Sequence, residues 1–298
     1  MIPRRRPLLR ADFALAFNTL IWGSTFVVVK QALADVSPFL FLALRFSLAA
    51  GALVVLFRRS WSHPRGLQSS LRGGVFTGIW LFGGYAFQTV GLRLTTPSKS
   101  AFLTGLSTVM VPLLAALVYR IRPSVVELGG VGLATAGMGL MTLESARWTM
   151  ARGDLLTICC AAAFAAHILS LGHYASRVSF EVLSLAQIGT AAVLALGSCW
   201  WLETPRVSWR PSVWVAIAVT GLLATALAFT IQAWAQQYTT PTRTALIFTL
   251  EPVFAWVTSF LLTGETLSPR AAAGAGAILA GIVLVELKPF RRELHPSQ

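Results

Sequence analysis

TTPSKSAF at Thr95 to Phe102 and TTPTRTAL at Thr239 to Leu246 are nearly the same text, set 144 positions apart. Each closes one apolar segment and opens the next, and a turn repeated at a fixed offset marks a duplicated chain. Carried along without gaps, the offset of 144 matches Gln88 with Gln232, Leu106 with Leu250, Gly130 with Gly274 and Gly137 with Gly281. Nearer the start the offset becomes 142 and pairs Asp12 with Asp154 and Ser37 with Ser179. Both halves therefore hold the same ordered set of segments.

Composition says where those segments live. The 298 residues are 55% hydrophobic and 12% charged, with mean hydropathy +0.69, too little polar surface to cover a water-soluble globule of this length. Ten apolar runs are placed at 11–32, 37–57, 71–92, 98–118, 124–143, 153–174, 180–201, 211–235, 242–261 and 269–287. At about 1.5 Å per residue each can cross a hydrocarbon core about 30 Å thick. Lipid offers backbone groups no partners, and alternating barrel strands are absent, so the spans are expected to be helices. The expected organisation is a first repeat over 1–143, a linker at 144–152, a second repeat over 153–287 and a tail at 288–298.

Five spans per copy is an odd number, so the second copy enters the membrane from the opposite face. Inverted repeats of this kind commonly support alternating access, in which two near-equivalent halves exchange conformations. The net charge of +13 raises nucleic acid as a partner, but the basic residues are scattered through short loops instead of forming one patch. Topology accounts for them. Fifteen of the 24 Lys and Arg fall on the N-terminal side and seven on the other, with Lys30 and Arg45 inside spans. By the positive-inside rule both termini are expected in the cytoplasm. The opening MIPRRRPLLR imitates a secretory signal, yet the following run is too long and lacks a small-residue cleavage site, so it reads as an uncleaved span. Cys159, Cys160 and Cys199 lie inside spans without ligand spacing, and no GxxxxGK[ST] sequence occurs. No metal, cofactor or ATP site is expected.

The segments WGSTFVVVK (22–30), LRF (44–46), TTPSKSAFLTG (95–105), QYTTPTRTALIFTLEPVFA (237–255) and GETLS (264–268) resemble the EamA-type drug/metabolite transporter family. The resemblance covers almost the whole chain. It implies a ten-helix carrier of two inverted five-helix repeats, a cavity lined by spans 1, 3, 4, 6, 8 and 9, and export of amino acids or other small metabolites. The first copy departs from the pattern: Ser107 and Thr108 stand where the second has Glu251 and Pro252, and RIRPS stands where it has GETLS.

Residues three, four or seven apart share a helix face. Asn18, Trp22 and Thr25 form such a stripe in span 1, matched in span 6 by Cys160, Phe164 and His167. Span 3 offers Thr77, Tyr85 and Gln88, and span 8 offers Thr225 and Gln232. Span 4 offers Ser100, Thr104 and Ser107, with Thr244, Phe248 and Glu251 at the corresponding places in span 9. Substrate contact is assigned to Asn18, Trp22, Thr25, Tyr85, Gln88, Thr104, Ser107, His167, Gln232, Phe248 and Glu251. For the hydroxyls, interhelical packing is the competing role. Pro112 and Pro252 lie at nonequivalent places inside spans 4 and 9, where each removes a backbone bond and is expected to kink its helix.

An ionised carboxylate amid span 9 is costly unless protonated, paired or wetted, which makes Glu251 a candidate for proton coupling, with His167, or for holding a substrate ammonium; pairing with Arg45 or capping the backbone freed by Pro252 is the alternative. Lys99 and Arg243 are repeat equivalents at opposite mouths, as gates or as anchors. Lys30 is expected to snorkel to the interface. Small residues in spans 5 and 10, Gly130, Gly132, Gly137 and their equivalents, read as packing scaffold, with a homodimer interface as the alternative. The expectation is an all-α secondary transporter of the bacterial inner membrane, exporting neutral or zwitterionic amino-acid-like solutes by proton antiport or by facilitated diffusion, with no catalytic residue. A lipid-carrier flippase or scaffold needs a lateral groove, and an intramembrane enzyme needs convergent catalytic groups that the sequence does not show.

Overall fold

Backbone groups in hydrocarbon must pair within their own segment, and the chain responds with helices throughout. The computed structural model describes residues 5–59, 67–95, 97–120, 123–142, 152–254, 257 and 268–286. The first copy comprises α1 (Arg5–Ala32), α2 (Pro38–Phe57), α3 (Leu67–Leu94), α4 (Pro97–Gly105), α5 (Ser107–Tyr119) and α6 (Val125–Thr142). The second comprises α7 (Arg152–Ala175), α8 (Phe180–Trp201), α9 (Pro211–Ala218), a π-helical stretch Val219–Leu227, α10 (Ala228–Ala235), α11 (Pro241–Phe248) and α12 (Pro269–Glu286). Spans 4, 8 and 9 are not single α-helices, which the apolar runs alone did not reveal. The far end of span 9, most of the expected linker and the expected tail lie outside the described residues.

The surface is inside-out relative to a soluble protein. Leu117, Val55 and Trp201 are 76%, 69% and 90% exposed, whereas Thr77, Thr157, Thr220 and Gln187 are fully buried. Among the described residues seven helices are long and apolar enough to cross a membrane, and two shorter apolar helices cover Val125–Leu140 and Pro269–Val285. This is a multi-pass all-α membrane protein.

The contacts of α6 with α12 fix how the copies relate. A Cβ on Gly137 would lie 2.5 Å from the Gly274 oxygen, and one on Gly281 would lie 2.6 Å from the Gly130 oxygen. Gly274 is the equivalent of Gly130, and Gly281 of Gly137, so each glycine meets the equivalent of its neighbour. Reciprocity of that kind is the signature of a twofold axis, and it requires α6 and α12 to run antiparallel. The two copies are thus inverted. Not every glycine in the stripe serves this crossing: a Cβ on Gly132 or Gly276 would meet nothing within 4 Å, which corrects the reading of the whole stripe as one packing face.

Outside this pair, α3 packs along α7 and α8, and α2 packs along α8, so every major interface joins one copy to the other. The α1–α2 turn is clamped to the α8–α9 loop by an antiparallel bridge between Val36 and Val207, with Ser208 N donating to Asp35 O at 2.7 Å. The repeated Thr-Thr-Pro turn has a local cause. Pro241 opens α11 at its first positions and the Thr240 hydroxyl accepts from Arg243 N, a capping residue followed by a proline whose missing N–H costs nothing there.

Candidate functional site

Span 9 breaks just before its acid. Thr249 N and Leu250 N donate to Leu246 O and Ile247 O in tight i−3 turns, and the helix resumes at Glu251. Pro252 causes this, because its ring and missing N–H deny Phe248 the usual i+4 partner. Span 4 breaks at Leu106, the repeat equivalent of Leu250, placing Ser107 where the other copy has Glu251. The two discontinuities are related by the same twofold axis as the helices. The prolines stand at nonequivalent places; the breaks themselves are equivalent.

Span 8 carries the second irregularity. Within Val219–Leu227 the Thr225 hydroxyl donates to Thr220 O at 2.7 Å, five residues back. π-bulges of this sort free carbonyls and cluster at functional sites. Here the first copy takes them up: Trp22 Nε1 donates to Ala224 O at 2.9 Å and Asn18 Nδ2 to Ala228 O at 2.7 Å. Arg45 Nε donates to Thr225 Oγ1 at 2.6 Å, and its NH2 donates to the Tyr85 hydroxyl at 3.0 Å. The guanidinium also lies 4.3 Å from the Tyr85 ring centroid, a cation–π distance. Arg45 is therefore satisfied by Thr225 and Tyr85, and the alternative pairing with Glu251 is not formed.

Trp22, Thr25, Tyr85, Gln88, Thr104, Ser107, His167, Gln232, Phe248 and Glu251 line one cavity, together with Arg45, Phe26, Phe164, Phe229 and Thr108. Asn18 does not reach it; fully buried, it holds the π stretch in place. Aromatic rings form much of the wall. Trp22 meets Phe248 at 4.9 Å and Phe229 at 5.4 Å between centroids. Tyr85 meets Phe164 at 5.2 Å. Phe164 can close in because Gly84 lacks a side chain: a Cβ there would fall 2.7 Å from the ring. Trp22 and Phe164 are repeat equivalents, as are Tyr85 and Phe229, so the wall obeys the twofold.

The polar groups do not. His167 Nε2 lies 2.9 Å from Gln187 Oε1, where Gln187 is the equivalent of Arg45. Gln88 Nε2 donates to Thr104 Oγ1 at 3.3 Å. Gln232 Nε2 donates to Gln236 Oε1 at 3.3 Å, and Gln236 Nε2 donates to Ile168 O at 3.0 Å. Glu251, half-buried, has no hydrogen bond or ion pair among the described residues.

At one end of the bundle Arg243 grips Asp12 with two bonds, Nε to Oδ1 at 3.1 Å and NH2 to Oδ2 at 2.7 Å, above a buried cluster of Ala11, Leu15, Ala235 and Ile247. At the opposite end Asp154, the equivalent of Asp12, is fully buried and accepts from the Thr95 hydroxyl at 2.8 Å. The Lys99 side chain lies outside the described residues. Lys30 does not snorkel outward: its Nζ donates to Leu92 O at 2.6 Å and Thr95 O at 3.0 Å, capping the end of α3.

The sequence profile of the EamA-like transporter family matches the chain twice, over residues 9–143 and 151–287. The chain belongs to the EamA-like transporter family. An uncharacterized transporter of Archaeoglobus fulgidus is 35% identical to this family member over 281 residues, covering 94% of this chain and 87% of the relative. The uncharacterized inner membrane transporter YedA of Escherichia coli K12 is 25% identical over 295 residues, covering 95% and 92%. The uncharacterized transporter YvbV of Bacillus subtilis is 24% identical over 294 residues, covering 96% and 94%. A solved crystal structure with 20% identity superposes at TM-score 0.77 over 95% of this chain and 97% of its own, which shows the fold. This EamA-like protein is a membrane transporter.

Sequence reasoning missed several wall residues of the transporter. Phe164 stood on the span 6 stripe without being assigned to the wall, and Phe229 was reachable as the repeat equivalent of Tyr85. Arg45 was not, because its partners depend on a π stretch that no local pattern in Val219–Leu227 announces. The role of Gln236 depends on the same fold, since Ile168 is 68 residues away.

Proposed function

We propose that this EamA-like transporter is a secondary carrier that moves small, amino-acid-like metabolites outward across the bacterial inner membrane by alternating access, with both termini cytoplasmic. The observation that carries the reading is the pairing of equivalent carboxylates at opposite ends of the bundle: Asp12 bound by Arg243 at one end, Asp154 bound by Thr95 at the other. Exchanging the conformations of the two copies would loosen one mouth as it tightens the other.

Glu251 is the proton site of this scheme. It is the acid at a helix break on the cavity wall, it has no counter-ion among the described residues, and the resumed helix offers it the favourable end of the backbone dipole. A carboxylate so placed exchanges between proton and solute as the cavity faces each side. The test is transport of a labelled solute panel into proteoliposomes with and without an imposed pH gradient. Wild type should respond to the gradient, and Glu251→Gln should not. Identical gradient responses in the two proteins would remove the proton role.

A further inference from the structure

The amides of the cavity specify the chemistry of the solute's head. Ile168 O is a backbone carbonyl and can only accept, so the group of Gln236 facing it must be the NH2. That leaves Gln236 Oε1, an acceptor, toward Gln232, which must then present its own NH2 at 3.3 Å. The orientation of Gln232 is thereby set by a chain of two bonds ending on the backbone, a stronger assignment than a terminal amide usually allows. Its Oε1 is what remains, and that atom is buried with no partner among the described residues. Gln232 lies on the cavity wall with Glu251, Phe229 and Phe248. Phe229 precedes Gln232 by three residues, and Phe248 precedes Glu251 by three, so each acceptor stands beside an aromatic ring on its own span. The cation of the cavity, Arg45, is already engaged by Thr225 and Tyr85.

An unmet buried acceptor costs free energy until a donor arrives. Two acceptors, one of them a carboxylate, flanked by Trp22, Phe229 and Phe248, call for a positive head that carries N–H bonds. We infer that the cavity selects solutes bearing a protonated primary amine, which donates one N–H to Gln232 Oε1 and one to Glu251, with Gln236 as the positioning residue. This rests on the carrier reading above and narrows it to a head group. Rings alone would hold a quaternary ammonium as well as a primary one, so N–H donation is the discriminating property.

Titration calorimetry on the detergent-purified full chain tests it, using phenethylamine, its N,N,N-trimethyl counterpart, and hydrocinnamate as an amine-free control. The primary amine should bind roughly tenfold or more tightly than the trimethyl compound, the expected loss of hydrogen bonds to charged groups. Gln232→Leu should shrink that preference to the share that the bond to Glu251 carries. Gln236→Leu should reduce it while the trimethyl compound keeps its wild-type affinity, a pattern that general structural damage would not give. Equal affinity for both cations, or no binding of the amine, overturns the inference from the wild type alone, whether or not the variants fold. Counterflow in proteoliposomes separates the two readings: an amine that binds selectively without being carried contradicts the carrier and leaves the head-group inference standing.

Discussion

Leu106 and Leu250 occupy equivalent breaks in spans 4 and 9, yet the next residue is Ser107 in one copy and Glu251 in the other. The contrast recurs nearby: Arg45 faces a π-helical span 8, while its equivalent Gln187 faces His167 on a regular α7. Helices, breaks and aromatic wall follow the twofold axis, and the ionisable groups of the cavity wall depart from it. A symmetric scaffold gives two faces of nearly equal energy, which alternating access requires. In the carrier proposed above, an asymmetric lining would let a single carboxylate serve both faces in turn.

The most severe test of that contrast is to reverse it. Glu251→Gln should cut proton-driven transport by about a hundredfold, within the range seen for loss of a group acting directly on the transferred proton. Adding Ser107→Glu to that variant should restore part of the gradient response, because the twofold carries position 251 onto 107. No restoration, with the double variant folded, would mean that the surroundings of span 9 are as particular as the acid itself. The readout is initial uptake at matched gradients.

Next in size is the crossing of α6 and α12. Gly137→Leu forces side-chain atoms against the Gly274 backbone and should cost about 1–3 kcal/mol or more, as overpacking does, seen as a lower melting temperature and reduced monodisperse yield. Gly132→Leu, where a Cβ meets nothing within 4 Å, should melt like wild type. Equal damage from both would contradict the reciprocal contact.

The mouths give a third comparison. Asp12 and Arg243 are only 14% and 12% exposed, so Arg243→Gln strands a largely buried carboxylate. About 2–4 kcal/mol of destabilisation of the closed mouth is expected, somewhat below the cost of breaking a fully buried pair. Thr95→Ala at the other mouth removes one hydroxyl from Asp154 and should cost about 1–3 kcal/mol. The effects should have opposite signs on access: the first should raise reactivity of a cysteine placed at Ile247, the second should lower it.

Smallest is Asn18→Ala. It removes the bond to Ala228 O, worth about 1 kcal/mol, and should lower the melting temperature by about 2–4 °C without changing solute affinity. A change in affinity would return Asn18 to the cavity wall, where its spacing with Trp22 and Thr25 had placed it.

Asn18 illustrates where sequence stops being legible. Helical spacing places Asn18, Trp22 and Thr25 on one face, but a face is broad and its edges meet different neighbours: Trp22 and Thr25 reach the cavity, Asn18 reaches span 8. Among the described residues most span ends were readable to within a few residues, since an apolar run that meets a proline starts or stops there, as at Pro38 and Pro211. The repeat offset then carried most of the cavity wall with it. Unreadable were features made by contacts between distant segments. The π stretch is stabilised by Arg45, some 180 positions away, and the orientation of Gln232 by a carbonyl on α7. Gly132 and Gly137 look alike in the sequence, and only the crossing of α6 and α12 tells them apart.

Inversion of the two copies is the claim on which the proposed mouths and proton site rest, and it can be measured directly. Leu94 and Tyr238 are repeat equivalents, 55% and 40% exposed, at the ends of spans 3 and 8. In a chain freed of Cys159, Cys160 and Cys199, a single cysteine at each position is labelled with a membrane-impermeant thiol reagent in sealed vesicles of one orientation. One position should react only from outside and the other only after the vesicles are opened. Reaction of both from the same side would contradict the inverted architecture.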